Sequence, residues 1–224
     1  RRRRRRTELV LENNGSVIQG STVTEVFDDD GKITGVAVGI GGRKGEIRHY
    51  HAPWTIGAGG YQCPVAKKIV RDLAQEEMID RMHYCGGYRE YWSGVKGCEG
   101  NSGNIEIHFV EGVIPGYFWL FPLGDGKVNV GIGMVLGLLD KQKKKLRAMQ
   151  TDVINNHPLF KERFANAEMI KGTGKGWQLP FGSPRKGEKN QPRRAYAPGA
   201  LLIGDSASLV DPFSGEGVGN ALVS

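Results

Sequence analysis

The sequence predicts a mixed α/β fold, of the α+β type, in which strands are the commoner element. Short runs rich in Val, Ile, Thr and aromatic residues recur between clusters of Gly, Asn and Asp, which is typical of strands joined by turns. Two other stretches space their apolar residues as helices do. The 224 residues are enough to bury a sizeable core, in one large or two small domains.

The first part of the chain has the pattern of a β meander. Residues 8–40 contain two or three short strand-like runs, which "NNG" and "DDDG" separate with turn chemistry. Residues 45–60 continue with a further run that ends in an apolar strand and a glycine loop. A helix is predicted over residues 64–82, with Pro64 in its first turn and Ile69, Leu73 and Met78 near helical spacing.

The middle of the chain predicts an antiparallel sheet. Four aromatic-rich strand patterns lie between about residues 83 and 135, and one face of their sheet should be covered. A helix is predicted from Asp140, as its cap, to about Asn156 before Pro158. Residues 171–194 read as loop with one short strand. The run "GALLIGD" is the last predicted strand, and "GEGVGNALVS" begins the last helix.

Composition excludes several classes of function. Arg1–Arg6 supply six of the 31 basic residues, which leaves the rest of the chain nearly balanced against 24 acidic residues, so we predict no nucleic-acid partner. Cys63, Cys85 and Cys98 form no C-x-x-C pair, and the five histidines are scattered, so no metal site or disulfide framework is predicted. No apolar run approaches the ~20 residues of a membrane span. We therefore expect a cytoplasmic protein, with peripheral membrane association as the alternative.

The first candidate site is the strand, glycine loop and helix start at residues 200–224. Asp205 follows Gly204 at the carboxyl end of the strand, where open α/β sheets collect ligands. Its carboxylate can accept hydrogen bonds from ribose or ribityl hydroxyls. Gly215, Gly217 and Gly219 allow a ligand to approach the backbone, and the helix should direct free N–H groups toward it. A glycine turn and capped helix without any ligand is the alternative.

The second candidate site is the stretch "PGYFWLFPLGDGKVNVGIG". Tyr117, Trp119 and Phe121 alternate along a strand and should therefore share one face. Gly131 and Gly133 on the next strand would leave room for a ligand above the backbone. Ordinary core packing beneath a helix is the alternative.

These residues resemble a known family. The pattern Y-x-W-x-F-P, eight residues and G-x-G, from Tyr117 through Pro122 to Gly133, is characteristic of the geranylgeranyl reductase family of flavoproteins. The Gly204–Asp205 tail is similar to the "GD" motif of the wider class that includes aromatic hydroxylases and flavin-dependent halogenases. The resemblance covers roughly residues 8–224.

The resemblance implies roles for both sites. Asp205 would bind the ribityl or ribose part of FAD, and the backbone from Pro212 to Gly219 would run beside the flavin ring. The implied cofactor-binding residues are Gly204, Asp205, Pro212, Gly215, Gly217, Val218 and Gly219. The implied substrate-binding residues are Tyr117, Trp119, Phe121, Pro122, Gly131 and Gly133. No catalytic residue is assigned, although the Tyr117 hydroxyl is conceivable as a proton donor.

Two departures from the family pattern affect these expectations. Gly59 stands where the class usually has an Asp, and no G-x-G-x-x-G segment with the required strand and helix is found. The chain is therefore expected to be an internal fragment of a longer flavoprotein. Its expected parts are an Arg-rich tail or artefact (1–6), a partial FAD/NAD(P)-binding Rossmann-like domain (7–82 and 195–224) and an antiparallel-sheet substrate domain (83–194).

The implied activity is reduction of carbon–carbon double bonds in an isoprenoid lipid by reduced FAD. NAD(P)H and ferredoxin are the alternatives for the electron donor. Basic residues Lys171, Lys175 and Arg185 could meet a diphosphate head group, although a solvated loop is the commoner outcome. The alternative functions are a flavin monooxygenase or halogenase, or a non-catalytic module that binds apolar ligands.

Overall fold

The computed structural model describes residues 8–99, 103–183 and 191–224. Arg1–Arg6 and Arg185 lie outside these ranges. The described residues form three sheets, whose first is the meander β1-β2-β3. Its strands are β1 (Ser21–Asp29), β2 (Lys32–Ile40) and β3 (Glu46–His51), joined in antiparallel register. The predicted meander is therefore confirmed from residue 21 onward.

The expected strand near residue 8 is wrong, because residues 8–12 are helical. Gly15 N–H donates to the Val10 carbonyl, and Asn14 has a φ of +58°, the left-handed conformation that ends helices. Leu9, Val10 and Leu11 are exposed. The "NNG" sequence thus closes a helical turn here rather than joining two strands.

The second sheet is antiparallel and has the order β10-β5-β8-β7-β6, with β9 also paired to β5. This arrangement confirms the sheet predicted between residues 83 and 135 and extends it with the short strand predicted after residue 171. Its strands are β5 (Tyr84–Ser93), β6 (Glu106–His108), β7 (Tyr117–Gly124), β8 (Lys127–Val135), β9 (Glu168–Met169) and β10 (Lys175–Pro180).

The helices on this sheet differ from the single helix predicted over residues 140–156. The structure has α2 (Leu136–Gln142), α3 (Leu146–Asn156) and α4 (Pro158–Arg163). Lys143 has a φ of +53° and separates α2 from α3. Asp140 is therefore inside α2, where its carboxylate pairs with Arg81, and it does not cap a helix.

The helix predicted over residues 64–82 also ends earlier than expected. Helix α1 (Pro64–Ala66) begins at the predicted proline and continues as a π-helical segment at Lys67–Leu73. Gln75 adopts a φ of +55° and terminates it, so the prediction that it reaches residue 82 is wrong. A short 3₁₀ turn at Arg81–His83 follows, with the Asp80 carboxylate accepting from Met82 N–H.

The third sheet joins distant parts of the chain. Strand β12 (Ala200–Leu202) pairs in parallel with β4 (Thr55–Gly57) and antiparallel with β11 (Tyr196–Ala197). The last helix, α5 (Val218–Val223), follows as predicted. A mixed α/β architecture is thus confirmed.

Two groups of buried apolar residues support these sheets. The larger lies between one face of the second sheet and helices α2–α4, and includes Phe118, Ile132 and Phe160. The smaller lies around β4, β12 and α1, and includes Ile33, Ile69 and Leu202. No helix in the described ranges combines the length and apolar character that crossing a bilayer requires.

Strand β6 is anchored to α4 by an ion pair whose strength should depend on pH. Arg163 donates to both carboxylate oxygens of Glu106, at 2.5 and 2.8 Å, and to the Lys96 carbonyl. The hydrogen bond from Arg163, assisted by His108, lowers the pKa of Glu106 below its ordinary value of 4.5.

This ion pair predicts an acid-sensitive contribution to stability. Because the folded-state pKa of Glu106 is lowered, its contribution is fully present above about pH 4.5 and is lost as the pH falls through the folded value. We expect Glu106→Gln to lower the free energy of unfolding at neutral pH and to flatten its decline in acid. Urea titrations between neutral pH and pH 3 would measure this, and parallel pH curves for both chains would contradict it.

Candidate active site

The aromatic stripe lies on the sheet face opposite the helices. Tyr117, Trp119 and Phe121 point to one side of β7, while Phe118 and Leu120 are buried on the other side. Neighbouring rings along the stripe are 5.9 Å apart. The shared face is as predicted, and among the described residues helices α2–α4 pack on the opposite face of the sheet. We call this surface the open face of the sheet.

One row of residues crosses the open face, and we call it the trough because its two middle members are glycines. Directly paired residues of antiparallel strands share a face, and pairing places Trp177, Gly87, Gly133 and Tyr117 in one row across β10, β5, β8 and β7. A Cβ atom on Gly87 would meet nothing nearer than Trp119 at 3.9 Å, and one on Gly133 would lie 3.4 Å from Cys85 Sγ. Two aromatic side chains therefore stand at the ends of a floor made by two glycines.

The two predicted glycines of β8 play different parts. A Cβ atom on Gly131 would lie 2.1 Å from Cζ2 of Trp119, so the indole occupies the space above this glycine. Asn129 Oδ1 accepts a hydrogen bond from Trp119 Nε1 at 3.2 Å and fixes the ring. At Gly131 the absent side chain thus accommodates Trp119, whereas a Cβ atom on Gly133 would make ordinary contacts with Cys85 and Trp119.

Pro122 does not contribute to the open face. It follows Phe121 on the strand and therefore points to the other side, where a Cβ atom on Gly103 would lie 2.5 Å from Pro122 Cγ. A bulge between Pro122 and Gly124 then ends the regular pairing of β7 with β8. Its position fits a structural part in ending the strand.

Cys85 supplies an apolar wall to the trough. Its side chain lies beside Gly133, and its thiol donates to the Gly86 carbonyl at 3.3 Å. Burial raises the pKa of Cys85 to about 11. The thiol is therefore protonated at neutral pH and is a poor nucleophile there.

The Gly-Asp turn packs tightly against the last helix. After β12, residues Gly204–Ala207 form a 3₁₀ turn. Gly204 has a φ of +55°, and a Cβ atom there would lie 2.9 Å from the Ala221 methyl group. Any side chain at Gly204 would consequently strain the backbone and displace α5. The close approach of the helix places Gly217 against Asp205.

Asp205 carries a partly buried carboxylate without a hydrogen-bond donor among the described residues. It lies against Gly217, where a Cβ atom would be 3.2 Å from Asp205 Oδ1. Burial raises the pKa of Asp205 above its ordinary value. A partly buried carboxylate that lacks a hydrogen-bond donor fits a ligand that brings hydroxyl groups.

The loop that follows is fixed largely by its own acidic residues. Asp211 Oδ1 accepts from Ser214 N–H at 2.6 Å and from Phe213 N–H at 3.1 Å. Hydrogen bonds from Ser214 lower the pKa of Asp211. Glu216 Oε1 accepts from Gly219 N–H at 2.7 Å. The expectation that the start of α5 presents free N–H groups is therefore wrong at Gly219.

Tyr117 joins the open face to this loop. Its hydroxyl donates to the Ser214 carbonyl at 2.7 Å, and a Cβ atom on Gly215 would lie 3.0 Å from Tyr117 Oη. Burial raises the pKa of Tyr117, so the hydroxyl stays protonated at neutral pH. The structure thus brings the two sequence-predicted sites together at Tyr117, with Gly133 near the junction and Phe121 farther along the strand.

Pro212 and Val218 take different positions around the loop. Pro212 lines a groove together with Val210, Asn220 and Val223. Val218 begins α5 and is largely exposed. Gly59, which departs from the class pattern, follows β4, and Ser206 Oγ donates to the adjacent Gly60 carbonyl at 3.2 Å. This bond ties the glycine loop after β4 to the Gly-Asp turn.

Sequence reasoning missed the β5 and β10 side of the trough. Trp177 is exposed on the open face, and its ring meets Tyr61 edge to face at 5.2 Å between centroids. Arg89 lies over the Tyr91 ring and donates to the Thr173 carbonyl. The adjacent glycines of "YCGGYREYW", set in an alternating strand, were the available signal for a floor without side chains.

The described histidines, cysteines and acidic residues form no metal centre. Within the parts of the chain that the structure describes, no group of three or more His, Cys, Asp or Glu is arranged to hold a metal ion. His108 Nε2 contacts Glu106 at 2.8 Å, and its ring packs on Phe160. His83 Nδ1 contacts Ser183 Oγ. These contacts fit structural roles.

Comparison with known proteins confirms the family resemblance. Residues 87–174 match the family model described as the geranylgeranyl reductase catalytic domain. A digeranylgeranylglycerophospholipid reductase of Thermoplasma volcanium is 27% identical over 211 residues, covering 89% of this chain and 44% of that protein. A menaquinone reductase of Mycolicibacterium smegmatis is 32% identical over 116 residues, covering 51% of this chain and 26% of that protein.

Solved structures show the same fold. A geranylgeranyl bacteriochlorophyll reductase-like protein of Thermoplasma acidophilum superposes with a TM-score of 0.72 at 23% identity, covering 96% of this chain and 49% of that one. A flavin-dependent brominase superposes with a TM-score of 0.65 at 20% identity, covering 91% and 47% of the two chains. The chain spans less than half the length of these curated relatives and solved structures.

Proposed function

We propose that this protein is an FAD-dependent oxidoreductase of the geranylgeranyl reductase type, which reduces carbon–carbon double bonds of an isoprenoid lipid. The observation that carries the proposal is the junction at Tyr117. There the loop beside the unpaired Asp205 carboxylate meets an apolar trough. A cofactor held at the loop would face a chain held in the trough. The names of the curated relatives support the same reaction class.

The residues of the Gly-Asp turn fit an FAD. Asp205 would accept hydrogen bonds from ribityl or ribose hydroxyls, which would pair a carboxylate that has no donor in the described residues. Gly204 and the backbone from Pro212 to Gly219 would lie alongside the cofactor. When bound, the flavin would supply hydride, while the protein orients the substrate and excludes water. NAD(P)H and a ferredoxin are the candidate sources of electrons.

The trough fits an isoprenoid chain. Three strand spacings of about 4.8 Å separate strand β10, which carries Trp177, from strand β7, which carries Tyr117, so the trough extends for roughly 14 Å across the sheet. Its floor is Gly87 and Gly133, and Cys85 and Trp119 form apolar sides. An extended apolar chain would bury its surface there, with Phe121 continuing the aromatic wall. The Tyr117 hydroxyl donates its hydrogen to the Ser214 carbonyl, and its oxygen would accept a hydrogen bond from a group at the loop end.

Alternative activities are separable by experiment. The brominase and halogenase neighbours share the fold at identities of 13–21%, and no residue of the described site favours halogenation over reduction. A non-catalytic module would bind apolar ligands without FAD. We further propose that residues 7–82 and 195–224 form the cofactor-binding part, that residues 83–194 form the substrate part, and that the protein works at a membrane surface in the cytoplasm.

The cofactor assignment predicts opposite effects of Asp205→Asn on FAD binding and on stability. We expect the dissociation constant of FAD to rise about tenfold, because a charge-assisted hydrogen bond becomes a neutral one. Without ligand, the variant should be slightly more stable at neutral pH, since burial disfavours the native carboxylate. Equilibrium dialysis and urea unfolding measure the two effects. Asp152→Asn on α3 is the control, and equal FAD affinities of all three chains would contradict the assignment.

The trough assignment predicts a face-specific effect on prenyl binding. Gly87 and Gly176 lie on adjacent strands but on opposite faces, because Gly87 pairs with Trp177. We expect Gly87→Val to weaken the binding of geranylgeraniol at least about tenfold by obstructing the trough, while Gly176→Val leaves it unchanged. Quenching of tryptophan fluorescence measures this without requiring FAD. Equal affinities of the two variants would exclude the trough as the prenyl site.

A further inference from the structure

A strongly basic surface surrounds the connection between α2 and α3. Residues 141–147, which we call the basic segment, carry five cations and no acid. These cations, all exposed, are Lys141, Lys143, Lys144, Lys145 and Arg147. Apart from Arg1–Arg6 the chain is nearly neutral, so this density of charge is a local feature rather than a property of the whole surface.

The cations of the basic segment are not neutralised within the described residues. No salt bridge there involves any of the five, and Lys144 Nζ donates only to the Gly112 carbonyl at 3.2 Å. The nearby Asp140 is already paired with Arg81. Glu111 and Asp152 face Lys143–Lys145 across one groove and form no ion pair with them. The segment therefore keeps a net positive field.

Exposed apolar side chains accompany these charges. Lys144 and Lys145 line a second groove whose floor includes Leu136 and Leu146, with Trp177 at its edge. Trp177 is 61% exposed, and Ile114, two residues beyond the Gly112 contact, is 58% exposed. Cations beside a tryptophan and aliphatic side chains match the layered chemistry of a bilayer surface, where phosphates lie above the acyl region.

We propose that the basic segment, together with Trp177 and Ile114, docks the protein on an anionic phospholipid surface. This inference deepens the proposed membrane association by assigning the surface and the lipid charge. The proposal concerns lipid binding alone and does not depend on FAD or on turnover.

The test compares vesicles of phosphatidylcholine with and without phosphatidylglycerol in a co-sedimentation assay. All chains carry Gln in place of Arg1–Arg6, because that run would bind anionic lipid by itself. The patch variant combines Lys145→Glu and Arg147→Glu, which place acids at the N-cap and in the first turn of α3 where the helix dipole favours them, so folding should be preserved. The matched control combines Lys32→Glu and Lys44→Glu, two exposed residues of the meander.

We expect the parent and control chains to bind only the anionic vesicles, and the patch variant to partition about tenfold or more weakly. Added NaCl and inorganic phosphate at equal ionic strength should weaken binding equally. Binding to neutral vesicles, no binding to anionic ones, or an equal loss in the control would overturn the proposal. Selective displacement by inorganic phosphate would also overturn it, because it would indicate a discrete phosphate site.

Discussion

Replacing Phe160 with Ala is expected to lower the free energy of unfolding by about 3–5 kcal/mol. Phe160 is fully buried, and its ring packs on Phe118 at 4.6 Å and on His108 at 4.9 Å between centroids. It therefore links α4 to the covered face of the antiparallel sheet. Truncation would leave a cavity that neither β7 nor the helix can fill without moving.

Leu159→Ala is the matched control for this cavity. Leu159 is the preceding residue of α4 and is 49% exposed, so its truncation should cost under about 1 kcal/mol. Urea denaturation followed by tryptophan fluorescence measures both variants. Similar losses for the two would mean that α4 contributes little to the stability of the sheet.

Replacing Arg193 with Met is expected to cost about 3 kcal/mol, because several buried polar atoms would lose their donor at once. Arg193 is 6% exposed. Its guanidinium donates to Tyr84 Oη at 3.1 Å, to Ser208 Oγ at 2.9 Å, and to the Met78 carbonyl. Tyr84 belongs to the larger buried group, and Ser208 follows the Gly-Asp turn with a φ of +58°. Arg193 thus connects the covered sheet to the turn that carries Asp205.

Arg194→Met is the matched control, because it removes the same charge as Arg193→Met without removing the buried hydrogen bonds. Arg194 is exposed, and its contact with Glu76 uses the backbone N–H, which Arg194→Met retains. We expect this control to unfold like the parent chain. If both methionine variants lose equal stability, net charge rather than the buried hydrogen bonds would be responsible.

Local patterns were sufficient to predict much of this fold. The "DDDG" turn and the alternation of residues 117–121 depend on interactions between near neighbours, so the meander and the orientation of the aromatic stripe could be predicted. Helix ends were less predictable, because Gln75 and Lys143 adopt left-handed backbone conformations that are uncommon for such residues. The break between α2 and α3 has no proline or glycine to mark it.

The candidate site was predictable in its parts but not in its assembly. Asp205 and Tyr117 were each identified from local sequence, yet the hydrogen bond from Tyr117 to Ser214 joins residues 97 positions apart. Trp177 was missed because its relation to Gly87 depends on the pairing of β10 with β5. The filling of the space above Gly131 by Trp119 likewise follows from cross-strand register, which composition does not determine.

The parallel pairing of β4 with β12 has a consequence for the order of folding. Each of its three pairs joins residues 145 positions apart, as in Thr55 with Ala200. Closing so long a loop is entropically costly, whereas the intervening antiparallel strands mostly pair with closer neighbours. The antiparallel sheet should therefore form first and shorten the effective distance between β4 and β12. The Gly-Asp turn, which follows β12, would then be among the last parts of the molecule to reach its final geometry.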